Sequence, residues 1–160
     1  MPDLGSLAAL TLALAPQLPA AAPGTAETFP AGVRACLQAT IPSGIDEAQL
    51  KAAGWNGYDI DGDGPPLRIY ARGRGPILMT GTGAAAKESG CHVLASRGST
   101  DSRAATVDGI TKELGARPTE SGPEATLWIV GDKGVMLAGE EDTKRTGVRA
   151  TIVPIAEGMK

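Results

Sequence analysis

Residues 67–72, which read LRIYAR, decide the class of fold. Apolar side chains at the odd positions alternate with Arg68, Tyr70 and Arg72 at the even positions, and a period of two is typical of a half-buried strand. A Gly/Pro turn at residues 73–76 separates this segment from a second apolar run, ILMT. Because so short a connection joins antiparallel strands, the segment predicts an antiparallel sheet.

The pattern upstream of this strand has a helical period. Apolar residues recur three and four positions apart over residues 30–39 and place Cys36 on the inward side of a helix. Pro42 ends this helix because it cannot continue one. Asp46 and Gln49 have the spacing of a capping box, which predicts a second, short helix. Two helices therefore precede the sheet.

The pattern downstream contains more strands and one more helix. Residues 91–96 read as a strand, and apolar positions three and four apart predict a helix over 103–114. Three further strands follow, at 126–130, 135–138 and 148–155. The element order is ααβββαβββ, and we expect an α+β domain in which an antiparallel sheet of about six strands carries its helices on one face.

The composition fits one globular domain and argues against binding to nucleic acids. The chain has 160 residues, of which 42% are hydrophobic, and a domain of this size can bury a core without a metal. The formal net charge is −3, and aromatic residues make up 3%. Nucleic-acid binders need a basic surface and, for single strands, aromatic platforms. The sequence therefore favours partners of another class.

The beginning of the chain is typical of a secretory signal peptide. Residues 7–15 are small and apolar apart from Thr11, and three alanines follow at 20–22. Such a stretch fits a cleaved leader and is too short to span a bilayer. A signal normally starts with Lys or Arg, which this one lacks, so a disordered leader that is never cleaved is the alternative. We predict a leader over residues 1–24, a single domain over 25–160, and a periplasmic or secreted protein without a transmembrane segment.

The two cysteines, Cys36 and Cys91, are 55 positions apart. An even number of cysteines in an exported protein predicts a disulfide. The two residues meet if the first helix packs on the strand that carries Cys91. The alternative is two buried free thiols, which behave as small hydrophobic groups.

Asp59, Asp61 and Asp63 alternate with other residues and are followed by glycine. This arrangement resembles the first half of a calcium loop of the EF-hand type. The loop normally closes with a bidentate Glu at its twelfth position, where this chain has Tyr70. Calcium is the one cofactor that the sequence suggests, and a solvated Asp/Gly turn is the alternative.

The even positions of the LRIYAR segment form a candidate partner-binding patch. Arg68, Tyr70 and Arg72 share one face of the predicted strand. Arg and Tyr are enriched at the hot spots of protein interfaces. The alternative is an ordinary solvent face whose long side chains cover apolar surface.

The arrangement after the leader resembles small exported proteins of Gram-negative bacteria. The resemblance lies in a helix that carries one cysteine (residues 29–36), an AAGW step at 52–55, and a strand that carries Cys91. It covers about half of the chain after the leader. It implies export, and it carries no activity or catalytic residues with it.

Three functional classes remain open from the sequence. The first is a binding module that recognises a protein, a ligand or another component of the cell envelope. The second is a hydrolase whose carboxylates come together from distant parts of the chain. The third is a structural domain stabilised by calcium. No contiguous catalytic motif is present, which favours the first class.

Overall fold

A computed structural model describes residues 28–95, 102–139 and 147–155. The predicted leader, residues 1–24, lies outside this part of the chain. The described residues form helices and strands in the following order: α1 (Phe29–Ala39), β1 (Thr40–Ile41), β2 (Gly44–Ile45), α2 (Glu47–Ala52), β3 (Asn56–Ile60), β4 (Leu67–Ala71), β5 (Ile77–Gly81), α3 (Ala85–Ser89), β6 (Cys91–Ala95), α4 (Arg103–Leu114), β7 (Glu120–Ser121), β8 (Ala125–Val130), β9 (Lys133–Ala138) and β10 (Val148–Pro154).

The main sheet has eight strands in the order β3-β4-β5-β6-β10-β9-β8-β7, and every neighbouring pair is antiparallel. The expected α+β class and antiparallel sheet are therefore confirmed, but six strands and the order ααβββαβββ are not. The sheet gains β3 and β7 at its two edges, and β1 and β2 form a separate hairpin. The sequence of β3, NGYDI, contains Asn, Gly and Asp, which are depleted in strands, so its pattern did not predict a strand.

The topology consists of two similar halves. Each half contains a helix followed by a meander of four strands, β3 to β6 after α1 and β7 to β10 after α4. The last strands of the two halves pair with each other at the centre of the sheet, where Val93 lies opposite Ala150. The helices α1 and α4 also contact each other.

Side-chain caps define where the helices begin. Asp46 accepts a hydrogen bond from the backbone N–H of Gln49 at 3.1 Å, as the capping-box spacing predicts. Ser102 accepts one from the N–H of Ala105 at the start of α4, at 3.2 Å. The predicted bounds 103–114 of this helix are those observed.

The core lies between the helices and one face of the sheet. Trp128 of β8 is fully buried, and its indole N–H donates to the Thr111 hydroxyl of α4 at 3.2 Å. Cys36 of α1 and Cys91 of β6 form a disulfide with a Cα–Cα distance of 5.7 Å, which confirms the predicted bridge. The disulfide therefore fastens α1 to a strand at the centre of the sheet.

Candidate functional site

Strand register fixes which residues share a face of the sheet. Tyr70, Leu78 and Val93 lie side by side on three neighbouring strands and are buried on the side of the helices. Their neighbours along each strand point to the opposite side. We call that side, which α1, α2 and α4 leave uncovered, the helix-free face. The short helix α3 contacts it at the end of β5, where an added Cβ at Gly81 would come within 2.8 Å of the Ala85 carbonyl. The central row of the face consists of Tyr58, Ile69, Met79, His92, Thr151 and Met136.

The helix-free face carries most of the exposed large hydrophobic side chains among the described residues. Seven such side chains are at least 36% exposed, and six of them lie on this face. The six are Tyr58, Ile60, Ile77, Ile129, Met136 and Val153. The seventh, Ile41, lies in the separate hairpin. An apolar face of this kind marks an interaction site more often than chance exposure.

Charge is sparse on the helix-free face. Among its described strand residues, the charged ones are Arg149 at the centre and Glu120 at the edge strand β7. Arg149 is half-buried and lies opposite Leu94. The face therefore presents a positive centre within an apolar surround.

His92 lies close to this positive centre. One of its ring nitrogens, Nδ1, is 3.1 Å from the hydroxyl oxygen of Thr151 on the neighbouring strand. Partial burial lowers the pKa of His92, and the nearby Arg149 charge acts in the same direction, whereas a hydrogen bond with the backbone of Ser89 opposes them. These effects favour the neutral imidazole.

The helix-free face is large enough for a specific interface. The eight strands span about 34 Å at about 4.8 Å per spacing, and five residues of strand span about 17 Å. The area of the face is therefore about 600 Å². Two matching surfaces would bury about 1,200 Å² in total, which is the lower end of the range for specific, stable interfaces.

The predicted partner-binding patch lies on the other side of the sheet. Tyr70 is only 3% exposed and belongs to the core, and Arg68 and Arg72 are half-buried on the same side. The alternation in β4 is real, but the expected exposed face is the covered one. The apolar set at 67, 69 and 71 faces the helix-free side and is partly exposed.

Arg68 instead connects β3, β4 and α2. Its Nε and Nη2 donate to the two carboxylate oxygens of Asp59 at 2.6 and 2.9 Å, and its Nη1 donates to Glu47. The guanidinium hydrogen bonds hold the pKa of Asp59 below its usual range. This bidentate pair fixes the register of β3 on β4.

The same contacts bear on the predicted calcium ligands. Both carboxylate oxygens of Asp59 are occupied by Arg68, and Asp61 and Asp63 lie exposed in the connection between β3 and β4. Among the described residues, no group of three or more His, Cys, Asp or Glu side chains is arranged to hold a metal ion. The geometry gives the calcium interpretation no support.

A cavity of about 600 Å³ lies where α2 meets β3 and β4. Its walls include Glu47 and Lys51 from α2, Gly57 from β3, and Arg68 and Tyr70 from β4. Glu47 is the single carboxylate that lines it. A hydrolase that uses two carboxylates needs both of them in one pocket, and this cavity provides one. A smaller cavity, of about 290 Å³, is lined by two carboxylates, Glu120 and Glu124.

Comparisons of the chain with protein-family models, with curated proteins and with solved structures find no match. Within the described residues, no helix has both the length and the apolar character needed to cross a membrane. Function must therefore be inferred from the chemistry of the helix-free face and of the sheet edge next to it.

Proposed function

We propose that this protein is a binding module of the periplasm or the extracellular space, and that its helix-free face binds a partner protein. The partner surface in this proposal is apolar. The single observation that carries the proposal is the placement of six of the seven exposed large hydrophobic side chains on one face.

The apolar character of the face supports a protein partner. Aromatic residues and Met are enriched at interfaces, while charged residues are depleted at their centres. Tyr58 and Met136 are 56% and 40% exposed, and both lie in the central row of the face. Burial of this row would stabilise a complex by about 25 cal/mol for each Å² of apolar surface removed from water. The translational and rotational freedom lost on association offsets part of this gain.

The disulfide supports export. Disulfides persist in oxidising compartments and are rare in the cytosol of most organisms. The Cys36–Cys91 bridge fits this rule, and the leader predicted over residues 1–24 gives a route to such a compartment. Binding to a component of the cell envelope is the setting that these two features favour.

The test is a photo-cross-linking experiment in cells that export the protein. The photoreactive residue p-benzoylphenylalanine replaces either Met136 on the helix-free face or Ile41 in the separate hairpin. The two positions are matched because their side chains are 40% and 36% exposed. We expect position 136, and not position 41, to capture one dominant protein that mass spectrometry identifies, and we expect Arg149→Glu to abolish its capture.

Three outcomes contradict the proposal. Equal products from both positions would show that the face has no selectivity. Cross-links from position 136 to a second copy of the chain would make the face a dimer interface. Capture that survives Arg149→Glu unchanged would show that the centre of the face does not contact the partner.

A further inference from the structure

The β3 edge of the sheet differs from the opposite edge in length and exposure. The sheet ends at β3 on one side and at β7 on the other. β7 contains two residues, whereas β3 contains five, and all five are exposed. Natural proteins usually keep edge strands short or protect them, because an open edge can pair with another strand.

Hydrogen-bond parity shows which backbone groups of β3 face outward. The N–H of Thr82 donates to the carbonyl of Pro66 at 3.1 Å, so these residues form a hydrogen-bonded pair between β4 and β5. Such pairs alternate along an antiparallel ladder. Even-numbered residues of β4 therefore bond to β5, and odd-numbered residues bond to β3. Through the register Tyr58↔Ile69, the even-numbered residues of β3 bond to β4, and the N–H and C=O groups of Gly57 and Asp59 point away from the sheet.

Two common protections of an edge strand are missing from β3. Its five residues, NGYDI, include no proline and no lysine. Its one charged side chain, Asp59, is held on the helix side by Arg68. Among the described residues, no backbone group outside the sheet bonds to the outer N–H and C=O groups of Gly57 and Asp59.

The cavity between α2 and β3 lies beside this edge. At Gly57, an added Cβ would come within 3.0 Å of the Tyr70 ring carbon Cε1, so the ring covers the glycine directly. A strand added outside β3 would place the side chain opposite Gly57 next to this ring and the cavity. The side chain opposite Tyr58 would extend the helix-free face.

We infer that β3 is a docking edge for an extended peptide of a partner protein, which adds as a ninth, antiparallel strand and pairs with the backbone of Gly57 and Asp59. The peptide carries Lys or Arg opposite Asp59 and an apolar residue opposite Gly57. This mode of recognition uses backbone hydrogen bonds for affinity and alternate side chains for specificity.

Charge at the edge selects a peptide over a second copy of the chain. The side chains of Asp59 and Glu47 remain 56% and 53% exposed, and Arg68 pairs with both, so the two carboxylates and one guanidinium together keep one net negative charge. Opposite charges on directly opposed residues stabilise a strand pair. β3 itself contains no basic residue, so a second β3 could not supply this charge. The inference concerns a different surface from the helix-free face, and either proposal can fail without the other.

The test uses the disulfide-bonded full chain and the synthetic peptide acetyl-Thr-Lys-Val-Leu-Thr-amide. Nuclear magnetic resonance follows the backbone amide signals of Gly57 and Asp59 during the titration. In the antiparallel register, Lys lies opposite Asp59 and Leu opposite Gly57, so their N–H groups point at β3 and that of Val points away. We expect saturable shifts at Gly57 and Asp59.

Methylated peptides provide the matched controls. N-methylation of Lys and Leu removes the donors that face β3, and we expect binding at least ten-fold weaker. N-methylation of Val should leave the affinity within about two-fold, and replacement of Lys by Glu should weaken it. Shifts confined to residues outside β3 and β4, or equal binding of all methylated peptides, would overturn the inference. Shifts that depend on protein concentration without peptide would assign the edge to a second copy and overturn it too.

Discussion

At the scale of single residues, Tyr70 is the side chain whose position departs most from expectation. Its hydroxyl is the one buried side-chain polar atom among the described residues that has no hydrogen-bond partner. Burial raises the pKa of Tyr70, and the Glu47 carboxylate acts in the same direction, whereas the nearby side chains of Arg68 and Thr80 oppose them. The ring contributes to the core, and the hydroxyl, whose contacts with these side chains fall outside hydrogen-bond geometry, adds a desolvation penalty.

The first prediction concerns this hydroxyl. We expect Tyr70→Phe to leave the free energy of unfolding unchanged or to raise it by up to about 1 kcal/mol, because it removes an unsatisfied buried group and keeps the ring. Urea denaturation measures the change, and Tyr58→Phe on the exposed face is the control with no expected effect. A loss of more than about 1 kcal/mol in Tyr70→Phe would show that the hydroxyl has a bonding partner.

The second prediction concerns His92, the only histidine in the chain. Its pKa in the folded protein is lowered, so the unfolded chain binds the proton more tightly. The stability must then fall as the pH drops below about 6.5, the ordinary value for histidine. We expect His92→Gln to flatten this part of the stability profile, measured by urea denaturation between pH 7.5 and 5. An identical slope in both proteins would contradict the assignment.

The strand β4 shows what a residue pattern can and cannot predict. Its alternation correctly indicates a strand with two different faces, but it does not say which face the helices cover. Arg68 and Arg72 look solvent-exposed because they are charged, yet their stems and the Tyr70 ring pack on the covered side. The ion pairs of Arg68 with Asp59 and Glu47 depend on tertiary contacts, which a local pattern does not contain.

At the scale of elements, the disulfide is the contact that the sequence predicted best. One cysteine was predicted on the inward side of α1 and the other on a strand. The disulfide prediction therefore needed only one tertiary assumption, that this helix packs on the sheet. The sequences of β8 and β10 could have predicted the apolar character of the helix-free face. Residues 128–130 (WIV) and 150–153 (ATIV) have large apolar side chains at both even and odd positions. Such strands are apolar on both sides of the sheet, although only one side faces the core.

The third prediction concerns the disulfide. In the chain-entropy treatment, closing a loop with a sequence separation of 55 stabilises the folded state by about 4 kcal/mol. We expect a reductant to lower the unfolding free energy by roughly this amount, as followed by urea denaturation. The double variant Cys36→Ala/Cys91→Ala should be insensitive to reductant. A midpoint that does not move on reduction of the native chain would contradict the prediction.

The fourth prediction compares two glycines with similar positive φ. Gly83 and Gly90 have φ of +60° and +65°, but an added Cβ meets nothing within 4 Å at Gly83 and meets the Ile152 carbonyl oxygen of β10 at Gly90. Gly83→Ala should cost about 1–2 kcal/mol, from the positive φ alone. Gly90→Ala should cost about 1–3 kcal/mol more, because the central strand must shift and because a ψ of −164° with this φ is a conformation nearly restricted to glycine. Equal losses in thermal or urea unfolding would contradict this account of Gly90.

At the scale of the whole molecule, the two faces of the sheet differ in what covers them. One face forms the core with α1 and α4, which are tied to it by the disulfide and by the Trp128–Thr111 hydrogen bond. The other face is contacted by α3 at Gly81, at the end of β5, and it carries the exposed apolar residues that the proposal assigns to a partner. In the proposal, Tyr58 is exposed because the partner covers it.

The fifth prediction, and the most direct test of the account, compares two Ile→Lys variants. Calorimetry measures the affinity of each for the partner captured at position 136. Ile129 lies on the helix-free face and Ile41 in the separate hairpin, so a lysine should disrupt the proposed interface at one position and not at the other. We predict that Ile129→Lys weakens binding at least ten-fold, about 1.4 kcal/mol, while Ile41→Lys binds as the native protein does. Equal affinities for the two variants would show that the helix-free face is not the binding surface.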